Sequence, residues 1–425
     1  LARPARPDAD WRIQDAEWDI RLAQAIGVDG FWFNLSQGAF DHTDYWPAFI
    51  EYLTATERLK SGFTIAPNID FASGEQIVGT ALADKLVEYL QAHGKLDSPA
   101  LQRIGGKLVV TSFAANRASA AWWKALRTGL SARGERPFTV ICSLPWQADT
   151  VRKYDEVADA FADWGIRNAE RHDYDAPDRF GGVPSGKPAV AMVRGFDVRY
   201  KRGGTSFWES RGSRTLREHW MAAINSKRVN WAQLLTWNDH GEDTSFVPNT
   251  GKQFAVYDLA AYYIAWFKTG QQPPITKDAL YYFHRILPTE FVPLKNRLDT
   301  QPRKDSPPPV NEIELLAFLT QPGTLQIETS GGVFTGAAPA GISTFTAPLP
   351  TSGKPVFRLL RGEEKVIEIQ SAFAVQTSHP QDDLVYRAGG SLRTIYGQSH
   401  PATAECQRSP TAAELAMGEP VWLAR

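Results

Sequence analysis

Cysteine is nearly absent: there are two among 425 residues, Cys142 inside PFTVICSLPW and Cys406 far along the chain. A dense disulfide framework is therefore excluded, and the single long-range bridge that remains formally open is not expected. No sign of charge dominates, because 46 Lys and Arg stand against 47 Asp and Glu, a formal net charge of -1. Such a balance gives no electrostatic reason to bind nucleic acid or an anionic membrane. Long apolar runs are missing too. Nothing approaches the ~20 residues that cross a bilayer, and the opening LARPARPDAD lacks the apolar core of a signal peptide. No GxGxxG or GxxxxGK[ST] follows a strand-like run, no GxSxG elbow occurs, and no HExxH helix is present. Dinucleotide, phosphate, serine-nucleophile and zinc-protease chemistries thus find no motif.

What is present is apolar and aromatic. Hydrophobic residues make up 43% of the chain and aromatics 12%, including 14 Trp, enough for a substantial core in one large or two ordinary domains. From Trp11 to about Gly270, short apolar runs alternate with amphipathic segments, the sequence form of repeated β/α units. Strands are expected at Gly30 to Ser36, Gly62 to Asp70, Lys107 to Ala114, Phe138 to Leu144, Lys187 to Phe196 and Trp231 to Asp239, with a weaker one at Gly165 to His172. Helices are expected at 15–26, 45–59, 75–93, 118–132, 150–164, 213–226 and 253–267.

Near-continuous apolar strands covered by helices predict a parallel sheet, and their number fits a (β/α)8 TIM barrel better than an open sheet. One strand is short of the count. LARPARPDAD has too much Pro and charge to supply it, so the first barrel strand is expected to be missing from this chain. The expected organisation is a barrel catalytic domain with a C-terminal extension over 1–285, a Pro-rich linker over 286–309 and a small C-terminal β-sandwich over 310–425. The last follows from short β-branched or alternating runs such as GTLQIET and EKVIEIQ between Gly, Pro and Ser turns.

Barrels carry their chemistry just beyond the C-terminal ends of the strands. The polar residues there are acidic and amide-rich: Asn34, Asn68, Asp70, Ser112, His172, Asp173, Arg194, Asp197, and the run TWNDHGED from Thr236 to Asp243. Two carboxylates in one turn, Asp239 and Glu242, can divide the roles of general acid and general base, the equipment for cleaving a glycosidic bond. The plainer reading is that Asp239 caps the turn and Glu242 is solvated. His172, Asp173, Asp175, Asp239 and His240 carry ligand atoms without metal-site spacing, so neither a metal nor another cofactor is expected. Trp18, Trp46, Trp164 and Trp220 lie on apolar helix faces and belong to the core. Trp146, Trp208 and Trp237 lie beside polar groups in turns, where a flat ring suits the apolar face of a sugar.

TWNDHGED resembles the TWNDYGES signature of the glycoside hydrolase family 71 α-1,3-glucanases, or mutanases. WDIRLAQAIGVDGFWFNLS, GFTIAPNIDFASG, GGKLVVTSFAAN, GKPAVAMVRGFD with SFWESRGSRTLREHW, and ITKDALYYFHR resemble further segments of that family, so the resemblance covers about Asp10 to Arg285. It implies a (β/α)8 barrel with an attached β-sandwich, and endo hydrolysis of α-1,3-glucan with inversion at the anomeric carbon. Carried over, Asp239 and Glu242 are the catalytic carboxylates and Asp70 is the third-strand Asp. Glu242 is expected as the acid and Asp239 as the base. Asp70, Asn68, Asn238, Trp237, His240, Trp146, Trp208, His172, Asp173, Arg194 and Asp197 are expected to touch or orient sugar. The chain departs from the family at His240, where the family has Tyr, at Asp243, where it has Ser, and at Arg194 to Asp197, where it has an aromatic run. A hydrolase of another bacterial glycan, or a carbohydrate-binding barrel without turnover, stays open on the residues alone. The expected partner is a poly- or oligosaccharide, with no nucleic acid and no membrane insertion. The expected state is a monomer, secreted or periplasmic, whose signal segment is absent from this sequence.

Overall fold

The computed structural model describes residues 8–36, 45–72, 77–142, 148–164, 173–176, 183, 186–199, 206–292 and 300–393. Seven runs pair side by side in sequence order into one parallel sheet: β1 (Gly30–Ser36), β2 (Thr64–Asp70), β3 (Lys107–Phe113), β4 (Pro137–Cys142), β5 (Ala160–Ala162), β6 (Ala189–Val193) and β7 (Val229–Leu234). The flanking helices are α1 (Trp11–Ala25), α2 (Tyr45–Leu59), α3 (Gly79–Ala92), α4 (Ala120–Ala132), α5 (Ala148–Tyr154), α6 (Arg214–Asn225) and α7 (Ala255–Thr269). The strand order never reverses. A doubly wound sheet would reverse at a switch point, so this sheet instead curves round as a partial barrel.

Local chemistry explains the helices. In α2, Trp46, Phe49 and Leu53 recur on one buried face, and Pro47 sits in the first turn where its missing N–H costs nothing. Ser119 caps α4 by accepting from Trp122 N. Gly270 ends α7 in the left-handed region, φ +69°, with its N–H on the Trp266 carbonyl.

Alternation along the strands divides the core in two. Ile65, Ile69, Leu108, Val110, Ile141, Phe161, Ala189 and Ala191 pack with the helices. Their neighbours Ala66, Val109, Val140, Cys142, Ala160, Ala162 and Val190 form a second cluster on the concave face, with Trp32 and Trp231 beside it. The inner strands β4, β5 and β6 are buried throughout, whereas β1 and β7, at the two ends of the sheet, are only partly buried. Trp237, just past β7, packs its ring 5.5 Å from Phe31 of β1.

One expectation is overturned. The helix expected over 150–164 ends at Tyr154, and its last part contains β5. Ala160–Ala162 reads as helix because Ala is the strongest helix former; pairing with Val140–Cys142 on one side and Ala189–Val190 on the other decides otherwise. The strand expected at Gly165 to His172 lies outside the described residues.

Two four-stranded antiparallel sheets follow. The first is ordered β12 (Gly341–Pro348), β9 (Glu312–Leu319), β8 (Ala279–His284), β15 (Arg387–Gly390). The second is ordered β11 (Gly332–Ala338), β10 (Gly323–Thr329), β13 (Val356–Arg361), β14 (Glu364–Gln370). They share one apolar cluster, with Tyr282, Leu315 and Ala317 from the first facing Leu325, Ile327, Phe357 and Leu359 from the second. The other side of the first sheet, Tyr281, Phe283, Leu316 and Phe318, packs on α7. This is why α7 is apolar nearly all round, with Ala255 through Ile264 buried. Strand β8 falls in the stretch expected as the barrel's C-terminal extension, so the antiparallel part begins before the Pro-rich segment. Within that segment Gln301–Pro302 pairs with Ser206–Phe207, which pairs with Val198–Arg199 to make a small third sheet.

Buried charge joins the antiparallel part to the barrel. Glu314 of β9 accepts from Ser213 N at 2.5 Å and Ser213 Oγ at 3.0 Å, and pairs with Arg217 at 3.0 Å. Glu209 pairs with Arg285 at 2.9 Å and accepts from the Tyr386 hydroxyl at 2.8 Å. Glu314→Ala is expected to cost about 3 kcal/mol, because it strands the partners of a buried carboxylate; urea unfolding of the variant against the parent checks this. Burial pushes the Cys142 thiol up to about 12. A Cys406→Ser variant is therefore expected to react with a disulfide reagent only after denaturation.

Candidate active site

On the concave face, the apolar layer gives way to polar residues at the strand ends. Period-2 alternation puts Asn34 above Trp32, Asn68 and Asp70 above Ala66, and Thr111 above Val109. Register then places Asn34 opposite Asn68 and Asn68 opposite Thr111. The result is a directional chain of hydrogen bonds. Thr111 Oγ1 donates to Asn68 Oδ1 at 2.7 Å, Asn68 Nδ2 to Asn34 Oδ1 at 2.8 Å, and Asn34 Nδ2 to Asp70 Oδ2 at 3.1 Å. Asp70 Oδ1 accepts from Ala72 N at 2.7 Å. Each amide has its orientation set by its neighbours, so the Asp70 carboxylate is held in one direction.

The loop after β7 is closed at its base by Thr236 and Thr244. Their hydroxyls lie 2.9 Å apart, and Thr236 N donates to the Thr244 carbonyl at 3.0 Å. Within this ring Asp239 N donates to Thr236 Oγ1 at 3.1 Å, and Glu242 N donates to Asp239 Oδ1 at 2.9 Å. Asp239 thus does cap the turn, as the plainer reading has it, while remaining only partly buried. Asp243, φ +58°, turns inward to a buried pair with Lys252, whose ammonium lies over the Phe196 ring. Burial favours the neutral forms of both, pushing the Asp243 carboxyl up and the Lys252 ammonium down. This pair anchors the far end of the loop, leaving Asn238, His240 and Gly241 exposed and Glu242 half-buried. Glu242 Oε2 meets an Arg199 guanidinium nitrogen at 2.6 Å.

Several expected sugar contacts fall elsewhere. Trp208 is 5% exposed and belongs to the core. Arg194 and Asp197 are buried and bonded to each other at 2.5 Å, an internal ion pair in place of a sugar contact. Asp173 accepts from Asp175 N in a surface turn. The Asp175 carboxylate bonds Ser226, Lys227 and Arg228, immediately before β7, so this turn lies at the opposite end of the strand from the Asp239 loop. Trp237 is partly buried between Phe31 and Tyr257, part of the wall and not a free-standing platform. Trp146 and His172 lie outside the described residues. The structure adds Thr111 and Asn34 to the chain that holds Asp70, and Arg199 to Glu242. Register would have pointed to Thr111.

The pattern of glycosyl hydrolase family 71 matches residues 6–386. Among similar proteins, a glucan endo-1,3-alpha-glucosidase of Schizosaccharomyces pombe is 23% identical over 386 residues, covering 83% of this chain and 84% of the relative. An ascus wall endo-1,3-alpha-glucanase of the same yeast is 25% identical, covering 82% and 86%. A mutanase of Penicillium rubens is 22% identical, covering 87% and 83%. Among solved structures, a GH99 endo-alpha-mannosidase from Bacteroides thetaiotaomicron superposes with a TM-score of 0.50 at 15% identity, over 61% of this chain and 80% of that one. That likeness concerns the fold alone. With the family pattern spanning nearly all the described residues, the chain belongs to glycosyl hydrolase family 71 and is a glycoside hydrolase.

Proposed function

We propose that this glycoside hydrolase cleaves α-glucan within the chain at α-1,3-glucosidic bonds, inverting the anomeric carbon, with Asp239 and Glu242 as its two catalytic carboxylates. The observation that carries the reading is the loop after β7. It brings two acids to a strand end of a curved parallel sheet and ties them together through the bond from Glu242 N to Asp239 Oδ1. The names of the family 71 relatives supply the linkage. Glu242 donates a proton to the glycosidic oxygen as its bond to the anomeric carbon breaks; a water attacks that carbon from the opposite face and passes its proton to Asp239. Asp70, Asn68, Asn238 and His240 orient sugar hydroxyls around the reacting ring.

The same reading makes the curved sheet the greater part of a (β/α)8 barrel and the two antiparallel sheets a β-sandwich that braces it. On this reading the substrate is a polymeric glucan met outside the cell, and the enzyme is secreted or periplasmic.

Asp239→Asn and Glu242→Gln are each expected to lower kcat on α-1,3-glucan by about 10²–10⁴-fold with unchanged unfolding; near-parental rates in both would remove the pair from the chemistry. Proton NMR of the first products is expected to show the β-anomer ahead of mutarotation. An initial α-anomer would mean retention.

A further inference from the structure

Glu242 stands in its loop between the exposed Gly241 and the inward-turned Asp243, with its side chain 25% exposed. A glutamate side chain has three rotatable bonds, each with several rotamers to choose among. It is nevertheless held. Arg199 reaches it from the segment after β6: one terminal guanidinium nitrogen bonds Glu242 Oε2 at 2.6 Å, while Nε bonds Asp197 Oδ1 at 2.9 Å. Asp197 is itself fixed, 1% exposed, with Arg194 on its other oxygen at 2.5 Å and Arg303 at 3.8 Å. The backbone repeats the connection, for Val198 N donates to the Glu242 carbonyl at 3.0 Å and Trp208 N to the Asp197 carbonyl at 2.8 Å. Val198–Arg199 is also one strand of the small sheet completed by Ser206–Phe207 and Gln301–Pro302.

The geometry points to Arg199 as the positioning residue of Glu242: oriented by the buried Asp197, it fixes the direction of the Glu242 carboxylate and stabilises the charge that forms there when the proton leaves. This rests on the reading of Glu242 as proton donor. The reasoning is chemical. A carboxylic acid giving its proton from Oε1 to a glycosidic oxygen becomes a carboxylate, and an Arg N–H already on Oε2 strengthens its hydrogen bond as that charge grows. The interaction is therefore stronger in the transition state than in the ground state, which lowers the barrier and not merely the binding energy. A guanidinium serves this better than an ammonium, because its rigid fork bonds Asp197 and Glu242 at once. Arg194 and Asp197, expected from the sequence to touch sugar, acquire a different task in this arrangement. They hold Arg199.

The test compares two substrates. One is α-1,3-glucan, whose leaving oxygen must be protonated; the other is the α-fluoride of a short α-1,3-linked glucan, whose fluoride leaves without a proton. Arg199→Met is expected to lower kcat on the glucan by about 10–100-fold with KM within a few-fold of the parent, and to leave kcat on the fluoride within a few-fold. Arg199→Lys, which keeps the charge and loses the fork, is expected to recover part of the loss on glucan. Equal losses on both substrates, or no recovery with Lys, would show that Arg199 only maintains the fold, and would overturn the inference. Glu242→Gln, run alongside, separates this from the underlying reading. If that variant cleaves glucan at the parental rate, Glu242 is not the donor and both ideas fall; if it is inactive on glucan and active on the fluoride while Arg199→Met changes nothing, only the role of Arg199 falls.

Discussion

A parallel sheet buried on both faces has to satisfy its backbone from neighbouring strands, and it can show polar side chains only where the strands run out. Most of this molecule follows from that constraint. Strands β2 through β6 present apolar residues to the helices on one side and to the concave interior on the other, so polar side chains gather where the strands end. Thr111, Asn68 and Asn34 stand one step beyond the last apolar layer, and the parallel register alone is enough to set them in a row ending on Asp70. No loop has to be arranged for this. The polar row is a continuation of the pleat.

The Asp239 loop needs more help, since a turn containing Gly241 and exposed on both sides has little intrinsic order. Three devices restrain it: the Thr236 and Thr244 clasp at its base, the buried pair of Asp243 with Lys252, and Arg199 on Glu242. The last depends on the stretch between β6 and α6, which is itself held by Glu209 and Glu314 through partners in and beside the antiparallel sheets. The β-rich C-terminal half therefore reaches the site indirectly. Glu314, and Arg285 and Tyr386 acting on Glu209, fix the segment from which Arg194, Asp197 and Arg199 project.

The fold was legible where a short pattern carries the whole signal. GFWFNLS reads as a strand and is one over the same residues, Gly30–Ser36, and the helix over 45–59 coincides with α2, because the first is a short apolar run and the second keeps its apolar residues at helical spacing. Ala160–Ala162 was not legible: three residues are too few to show a period, and alanine's own preference is for helix. The site divides in the same way. Asp239 and Glu242 stand together in one turn, and Asp70 ends a clear strand, so all three could be named from the chain. Trp208, Arg194 and Asp197 look like surface residues in sequence, yet they are buried, because burial is set by what later segments lay over them. Asp173 belongs to a turn whose position at the wrong end of β7 depends on a contact about fifty residues further along.

What the sequence determined by itself is whatever depends on near neighbours: strand and helix periodicity, the acidic turn after β7, and the motif that places the chain in family 71. What only tertiary structure decided are the long-range pairings: β5 in the sheet, Thr111 and Asn34 behind Asp70, Asp197 inside an ion pair, and Arg199 on Glu242. The reason is physical. Local periodicity is encoded by residues one to four apart, whereas register, burial and the meeting of charges across loops depend on free energy summed over the whole packed chain, which no single segment contains.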